Sequence, residues 1–403
     1  MNYFDQDGKR IILGDQLGKG ASATIYRDKK NSNRAIKIYN PAHLAKEPSL
    51  KKRLLKLKEL SEKGDFEISL GGKKRCVGAF PKGLVQDENK QLRGFTMDSF
   101  DNGVDLTQII YAKDPKTAFY KYSVKGSAYQ SQDHYNNWID SFLYSRKGLR
   151  NRFVLSYTLA QFFAKFYEIK EKSSLRRFDL ECTNFDLKPE NVLVRLEHDN
   201  ITGSRLIVPF ILDLDNLTLR NNLNTLGPAS PNITPEYMAP EGPTSRYYDN
   251  FSLGVILYQV LVGIHPFEGI AGVSRFRDGT ERNYFMKNRC FPGGKNGPFL
   301  SCASEHQRFE KMPEILKKLF RRALDAQEPS ARPTPREWQM ALAGVLSDPA
   351  LDFSNLFELP DLGQPTSLLT APRTPPSLNI PILNTQVAKL LAGAKNKICA
   401  ILA

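Results

Sequence analysis

The sequence predicts an α+β fold in which a small, strand-rich N-terminal part precedes a larger and mainly helical part. Residues 10–40 alternate short runs of β-forming side chains with Gly and Asn turns, which is typical of an antiparallel sheet. In residues 149–170 apolar side chains recur at helical spacing, which predicts a long buried helix. A chain of 403 residues with 41% hydrophobic content is sufficient for a packed core.

The other elements of the N-terminal part follow from local patterns. Leu50, Leu54 and Leu57 lie on one face of a helix predicted over residues 48–63. Residues 75–85 and 91–100 are predicted to form two further strands, separated by a turn at residues 87–89.

The C-terminal part contains further helical patterns after a segment without a clear pattern. Residues 111–147 are tyrosine-rich and polar, and we interpret them as an elaborated connection of mixed structure. Helices are predicted over residues 252–263, 313–324 and 335–346. Prolines accumulate after residue 348, and an amphipathic helix is predicted over residues 385–402. The predicted domains are therefore residues 1–100, residues 101–348 and a proline-rich tail, residues 349–403.

Composition excludes several classes of protein. No window holds the run of about 18 apolar residues that a membrane-spanning helix needs, and the N-terminus lacks an apolar signal core. The five cysteines are widely spaced without a C-x-x-C pair, which predicts free thiols in a reducing, cytoplasmic compartment. The net charge of +14 suits an acidic partner, but no nucleic-acid-binding motif is present, so we expect no specific nucleic acid.

Several short motifs occur in a fixed order along the chain. They lie at residues 17–26, 34–37, 184–191, 211–215 and 234–241, and Asp249 and Arg332 follow them. The motif at 184–191 contains Asp186, Lys188 and Asn191 in the pattern D-x-K-P-x-N. Together these motifs resemble the eukaryotic-like Ser/Thr protein kinase family, in a divergent bacterial-type form, over roughly the first 345 residues.

The resemblance implies a two-lobed protein-kinase fold, with a small antiparallel-sheet N-lobe and a mainly helical C-lobe. It also implies the catalytic residues: Asp186 as the base that accepts the proton of a hydroxyl, with Lys188 and Lys37 neutralising phosphate charge. Thr234 is expected to brace Asp186 and Lys188, and Asp249 to support the catalytic-loop backbone. Glu241 and Arg332 are the expected buried ion pair.

The resemblance further implies ATP as cofactor, together with Mg²⁺ or Mn²⁺. Asn191 and Asp213 are the expected metal ligands, since oxygen ligands suit these cations. Glycines permit a close approach of phosphate to backbone amides. The motif at residues 17–26 is the expected glycine-rich nucleotide loop. The residues expected to bind the nucleotide, through that loop, the adenine pocket or the hinge, are Leu17, Gly18, Lys19, Gly20, Ala23, Ile25, Ala35, Lys37, Met97, Asp98, Phe100 and Leu193.

Three departures from the family pattern bear on regulation. Phe185 replaces the arginine that precedes the catalytic aspartate in phosphorylation-switched relatives, which favours constitutive activity or partner control. Asp215 replaces the glycine of the usual metal motif. A small-lobe helix glutamate that should pair with Lys37 is not evident: Glu47 lies early and Glu59 late, so that Glu47, Glu59 or neither remain open.

Two functions from different classes follow from these observations. The first is an ATP-dependent Ser/Thr protein kinase that acts on a protein substrate and on itself. The alternative is a pseudokinase or scaffold that binds nucleotide or a partner without phosphotransfer, and it is motivated by the missing lysine partner and the altered metal motif. A small-molecule kinase is disfavoured by Glu241 and Arg332. The tail is a candidate for docking a partner.

Overall fold

The computed structural model describes residues 2–101, 103–110, 142, 146–168, 170–172, 177–179, 181–183, 186–198, 205–220, 225–229, 233–242, 247–272, 282–353 and 356. Most of the segment 111–147 and of the tail therefore lies outside the described residues, as does the helix predicted over residues 385–402.

An antiparallel sheet of seven strands forms the N-terminal part. Its spatial order is β2-β1-β8-β9-β5-β4-β3, so the fifth strand lies between the fourth and the ninth. The strands of this N-terminal part are β1 (Tyr3–Phe4), β2 (Arg10–Ile11), β3 (Leu13–Lys19), β4 (Ala23–Asp28), β5 (Asn31–Tyr39), β6 (Glu67–Leu70), β7 (Lys73–Cys76), β8 (Gly83–Gln86) and β9 (Leu92–Asp98). β6 and β7 pair separately as a hairpin.

The close pairing of β5 with β9 depends on one glycine. Gly94 lies opposite Ile38, and a Cβ atom at position 94 would lie 1.9 Å from the carbonyl oxygen of Lys37. A side chain there would push apart the two strands that hold Lys37, so this position requires glycine.

Two helices accompany the sheet, α1 (Pro41–Lys46) and α2 (Leu50–Glu62). The predicted leucine face of α2 is confirmed, since Leu50, Leu54 and Leu57 are buried. The single strand predicted over residues 75–85 is wrong: this stretch contains the end of β7 and the start of β8, and residues 77–82 between them belong to neither strand. The backbone of Val77 and Ala79 instead pairs with Ile211, so the run is apolar because it is buried against another strand.

Helices dominate the described residues that follow. They are α3 (Leu106–Ile110), α4 (Arg146–Glu168), α5 (Tyr248–Val262), α6 (Arg282–Lys287), α7 (Gln307–Glu310), α8 (Glu314–Asp325) and α9 (Pro335–Ser347). The four helices predicted from periodicity correspond to α4, α5, α8 and α9. Every residue of α5 is buried, because the other helices pack around it. A Thr334 and Glu337 capping box begins α9.

Short strands are more numerous here than the sequence predicted. They are β10 (Val104–Asp105), β11 (Lys170–Lys172), β12 (Arg177–Asp179), β13 (Glu181–Thr183), β14 (Val192–His198), β15 (Arg205–Ile211), β16 (Thr218–Arg220), β17 (Thr225–Leu226), β18 (Ile270–Gly272) and β19 (Leu300–Cys302). Single 3₁₀ turns occur at Pro189–Asn191, Leu214–Asn216, Pro235–Tyr237, Gly297–Phe299, Ser304–His306 and Pro329–Ala331. These strands pair only in twos and threes, so they give little periodic signal.

The first residues of the predicted tail pack onto the helical part. Phe353 contacts Phe153 of α4 edge to face, with ring centroids 5.3 Å apart, and Leu356 is also buried. Apolar burial therefore continues beyond residue 348, where the change in composition placed a boundary. Among the described helices, none combines the length and the apolar character needed to cross a bilayer.

Candidate active site

A hairpin of β14 and β15 brings two predicted metal ligands together. Val192, directly after Asn191, pairs with Ile211 in this antiparallel hairpin. The Leu212 amide then donates to the carbonyl oxygen of Asn191, at 2.8 Å. Asp213 follows at once, so the register of the hairpin places the 3₁₀ turn that ends at Asn191 beside the segment that carries Asp213.

The predicted catalytic aspartate lies in a hydrogen-bonded cluster. Thr234 Oγ1 donates to Asp186 Oδ1 at 2.8 Å, and Lys188 Nζ donates to Asp186 Oδ2 at 2.9 Å. Lys188 Nζ also donates to Thr234 Oγ1 at 3.0 Å. The predicted bracing by Thr234 is thus confirmed. The side-chain amide of Asn191 donates to the Asp186 carbonyl at 3.0 Å, which links the cluster to the hairpin.

Asp186 and Asp213 both have a left-handed backbone. Their φ angles are 43° and 56°, and among the described non-glycine residues only Lys90 and Arg289 also have positive φ. Aspartate tolerates this region better than most residues, but such a conformation persists only where surrounding contacts impose it. Local backbone strain therefore coincides with two of the residues that the sequence singled out.

Asn191 and Asp213 together fit a small divalent cation. The Asn191 amide nitrogen donates to Asp186, which leaves its Oδ1 as the atom that can face a cation. The Asp213 side chain is 39% exposed, so one face of its carboxylate can accept a ligand. Two oxygen donors suit Mg²⁺, which usually takes its remaining ligands from water and phosphate. No group of three or more His, Cys, Asp or Glu residues that could hold a metal occurs in the part of the chain that the structure describes.

Lys37 contacts two aspartates. Its Nζ atom lies 3.0 Å from Asp213 Oδ1 and 2.7 Å from Asp215 Oδ1. The phenol of Tyr39 donates to the second carboxylate oxygen of Asp215 at 2.6 Å. Neither Asp215 nor Tyr39 was among the predicted site residues. The signal that could have found them is the second aspartate in the motif at 211–215, together with the missing glutamate.

The neighbouring carboxylates keep the buried Lys37 ammonium charged. Burial by itself lowers the pKa of Lys37, but the nearby carboxylates of Asp215 and Asp213 outweigh burial and raise that pKa. Burial likewise raises the pKa of Asp215, whereas the Lys37 ammonium and its hydrogen bond bring the net pKa below its usual value. Burial, followed by the charge of Asp215, raises the pKa of Tyr39 well above its usual value, so the phenol remains a donor. Lys37 and Asp215 are therefore an ion pair.

Glu47 and Glu59, the two candidate partners of Lys37, have other partners. Glu47, directly after α1, accepts from Arg53 Nη2 at 3.3 Å and from the Ala229 amide at 2.8 Å. Glu59 pairs with Lys56 and Lys63 at the surface. The open question of the sequence is thus answered among the described residues: neither Glu47 nor Glu59 contacts Lys37, and the helix instead presents Arg53, whose Nε donates to the Asp215 carbonyl at 2.8 Å.

The predicted nucleotide loop is the hairpin of β3 and β4. Gly18 pairs with Ile25, and the Gly20 amide donates to the Ala23 carbonyl at 2.9 Å. A Cβ atom at Gly18 would meet nothing within 4 Å, and at Gly20 it would meet only a carbonyl oxygen at 3.8 Å. The packing of the chain itself therefore does not require these two glycines, unlike Gly94. Lys19 lies at the exposed end of β3, and Leu17 is 43% exposed.

The predicted adenine pocket corresponds to one apolar cluster. Ala23, Ala35 and Met97 are buried members of it, and Ile25, Leu193 and Phe100 pack against it from its edge. Phe210, which the sequence analysis missed, stacks on Phe100 with ring centroids 4.6 Å apart. Leu212 was also missed. Their signal was the buried strand that ends before Asp213.

At the predicted hinge, the Ser99 amide donates to the Asn33 carbonyl at 2.9 Å. Backbone groups alternate in direction along an extended strand, so those of Asp98, the last residue of β9, face away from β5. The Asp98 side chain pairs with Lys82 at the surface and takes no part in the pocket. Any contribution of Asp98 to the site is therefore through its backbone.

The later motifs form a structural unit around α5. Arg332 is almost fully buried and donates through Nη2 to Glu241 Oε2 at 2.7 Å, and through Nη1 to the other oxygen. The predicted ion pair is thus confirmed. Asp249 is buried in the first turn of α5. Residues 184 and 185 of the catalytic loop lie outside the described residues, so its support of that loop stays a prediction.

Part of this chain is similar to known protein kinases. Residues 178–342 match the family model of the protein kinase domain. The matched region includes the Asp186 cluster, Asp213, and the pair of Glu241 and Arg332. The match and the α+β architecture support the predicted protein-kinase fold.

Individual relatives are distant. The serine/threonine-protein kinases Sgk1 of Fundulus heteroclitus and of Homo sapiens are each 33% identical to this chain over 109 residues, which is 26% of this chain and 23% of each relative. The matched region thus spans less than a quarter of these curated relatives. Among solved structures, the kinase domain of Mycobacterium tuberculosis PknI is similar at 15% identity and a TM-score of 0.41, covering 83% of this chain and 95% of that one.

Proposed function

We propose that this protein is an ATP-dependent protein kinase that transfers the γ-phosphate to Ser or Thr hydroxyls, including its own. The observation that carries the proposal is the linked set of Asp186, Lys188 and Thr234, joined through Asn191 to the segment of Asp213. An aspartate, a lysine and two side chains with oxygens that can ligate a metal ion are the groups that phosphoryl transfer uses.

Each group has a role that its position supports. The Asp186 carboxylate accepts the proton of the incoming hydroxyl as the hydroxyl oxygen attacks the γ-phosphorus. The bond to the bridging oxygen breaks, and ADP leaves. Lys188 lies within hydrogen-bond distance of Asp186 and neutralises charge on the transferring group. Thr234 holds both side chains in place and excludes other rotamers.

Nucleotide binding uses the sheet and the hairpin. The adenine lies between Ala35 and Leu193, with Met97 at the back of the pocket. Gly18 and Gly20 would bind the phosphates through the backbone of their loop, since neither glycine is needed for the packing of the chain itself. Asn191 and Asp213 would hold a divalent cation, which would supply positive charge to the phosphate oxygens.

Two features favour a protein as the substrate. The pair of Glu241 and Arg332 anchors the end of the segment 234–241 against α5, where Ser252 Oγ also donates to the Tyr237 carbonyl at 2.8 Å. A fixed segment beside Asp186 offers a surface for an extended peptide. In the family that the motifs resemble, these residues accompany action on proteins rather than on small molecules. A cytoplasmic location and a docking role for the tail remain part of this proposal.

The test is transfer of label from γ-labelled ATP, with Mg²⁺ or Mn²⁺, to the protein itself and to a generic basic protein. Asp186→Asn and Asp213→Asn are compared with the wild type and with Glu314→Gln, which changes only surface ion pairs with Lys317 and Arg321. We expect transfer in the wild type and in Glu314→Gln, loss in both site variants, and label on Ser or Thr after acid hydrolysis. Nucleotide binding without transfer in the wild type would favour the pseudokinase alternative instead.

A further inference from the structure

The partner of Lys37 is an unusual feature of this site. In the family pattern a glutamate from the small-lobe helix pairs with this lysine and holds it against the phosphates. Here Asp215 forms the short contact, and it belongs to the 3₁₀ turn that directly follows the predicted metal ligand Asp213. Among the described residues, no carboxylate of α1 or α2 reaches Lys37.

Both oxygens of Asp215 are already engaged. Oδ1 accepts from Lys37 and Oδ2 accepts from Tyr39, and the side chain is only 2% exposed. The side chain of Asp213, two residues earlier, is 39% exposed. A buried carboxylate whose two oxygens accept hydrogen bonds from the protein is unsuited to hold a second metal ion. Its surroundings are those of a fixed counter-ion.

α2, the helix that lacks the glutamate, contacts the turn that carries Asp215. Arg53 of α2 is fully buried and donates through Nε to the backbone carbonyl of Asp215. The same guanidinium contacts Glu47, which in turn accepts from the Ala229 amide. The helix therefore holds the turn that carries Asp215, rather than Lys37 itself.

We infer that Asp215 replaces the missing helix glutamate and positions Lys37 for phosphoryl transfer. This inference rests on the proposed kinase activity. One consequence is that the lysine and the metal-binding residue are held by the same turn, so a shift of α2 acts on both at once through Arg53. Asp215 is thus a positioning residue that acts through Lys37.

The kinetic test compares Asp215→Asn with the wild type. Asp213 still lies beside Lys37 in this variant, so the ammonium keeps a counter-ion and its attraction to the phosphates of bound ATP, and the KM for ATP changes by less than about threefold. Orientation is lost, so kcat falls by about 100-fold. Raising the concentration of Mg²⁺ does not restore kcat, whereas recovery at high Mg²⁺ would identify Asp215 as a metal ligand and overturn the inference.

The matched control is Asp28→Asn. Like Asp215, Asp28 is a buried aspartate with a cationic partner, which here is Arg34. It lies in the N-terminal part, and none of its hydrogen bonds among the described residues reaches the residues of the site. We expect this variant to keep the kcat and KM of the wild type even if it unfolds at a lower temperature. An equal loss of kcat in both variants would indicate general destabilisation and would contradict a positioning role.

A second measurement does not depend on catalysis. The denaturation midpoint is compared for Asp215→Asn, Lys37→Met and the double variant, because a true pair gives strongly non-additive shifts. We expect Asp215→Asn to cause little further shift once Lys37 is Met, whereas Asp28→Asn adds its full effect. Additive shifts for Asp215 would overturn the inference. A wild type without transfer would count against the proposed function, while this cycle would still decide the pair.

Discussion

The Arg332 guanidinium donates to both carboxylate oxygens of Glu241, although the two residues are 91 positions apart in the chain. Arg332 also donates to the Tyr247 carbonyl at 3.3 Å and lies over the ring of Phe251. The pair thus joins the segment 234–241 to the first turns of α5 and to the loop before α9.

Loss of this pair is expected to be costly. Glu241→Gln would leave the Arg332 charge buried without its counter-ion, so we predict that the free energy of unfolding falls by more than about 2 kcal/mol. Chemical denaturation measures the change. Glu314→Gln, which removes surface ion pairs with Lys317 and Arg321, should cost less than about 1 kcal/mol. A similar small cost for both variants would show that the buried pair contributes little.

Thr234 provides a test of the catalytic cluster. Thr234→Val keeps the shape of the side chain but removes the hydrogen bonds to Asp186 and Lys188, so we predict a fall in kcat of about 10- to 100-fold. Thr234→Ser retains the hydroxyl and should remain within about threefold of the wild type. Steady-state kinetics with a peptide substrate measure both, and equal activity of the Val and Ser variants would refute the role of the hydroxyl.

Gly94 provides a test of the sheet that carries Lys37. In Gly94→Ala the new Cβ atom would overlap the Lys37 carbonyl, so β5 and β9 must separate and stability should fall by about 1–3 kcal/mol. Gly344→Ala is the matched control, since a Cβ atom there meets nothing within 4 Å in the middle of α9. That variant should gain about 0.5–1 kcal/mol from helix propensity. Thermal unfolding of the two variants should shift in opposite directions.

The buried, neutral His265 should make the folded protein less stable in acid. Burial, followed by the charge of Arg282, lowers the pKa of His265 to about 3 from its usual 6.5, and the neutral ring bonds to the Glu236 carbonyl and the Phe267 amide. Between these pH values the unfolded chain binds one proton more than the folded chain. The contribution of His265 is therefore intact above pH 6.5 and is lost as pH falls toward 3.

The steepest part of this dependence should be about 1.4 kcal/mol per pH unit for one proton. His265→Gln removes the titration, so its free energy of unfolding should vary less with pH by that slope between pH 4 and about pH 6. Denaturant unfolding at several pH values measures both proteins. Parallel curves would mean that His265 takes up its proton at the same pH in the folded and the unfolded chain, which would contradict the prediction.

Much of the fold was predictable because its signals are local. The periodicity of α2, α4, α5, α8 and α9 is strong, since each helix buries a face or its whole surface. The prediction of one strand over residues 75–85 was wrong because a local apolar pattern shows burial but not the partner. Residues 77–81 are apolar because they are buried, but their backbone pairs with Ile211 rather than with a strand of the large sheet. Short paired strands such as β13 and β16 carry too few residues for any period to appear.

The candidate site divides in a similar way. Asp186, Lys188 and Asn191 lie within six residues, and their spacing together with the order of the other motifs indicated that they act together. The sequence by itself determined this motif, the order of the motifs, and the absence of a convincing glutamate for Lys37. Only the tertiary structure decided what replaces that glutamate, because Asp215 is 178 residues from Lys37 and nothing in the local sequence relates them. Their contact exists because β5, the turn after β15 and Arg53 of α2 meet in one buried place, where a charge is stable only beside its counter-ion.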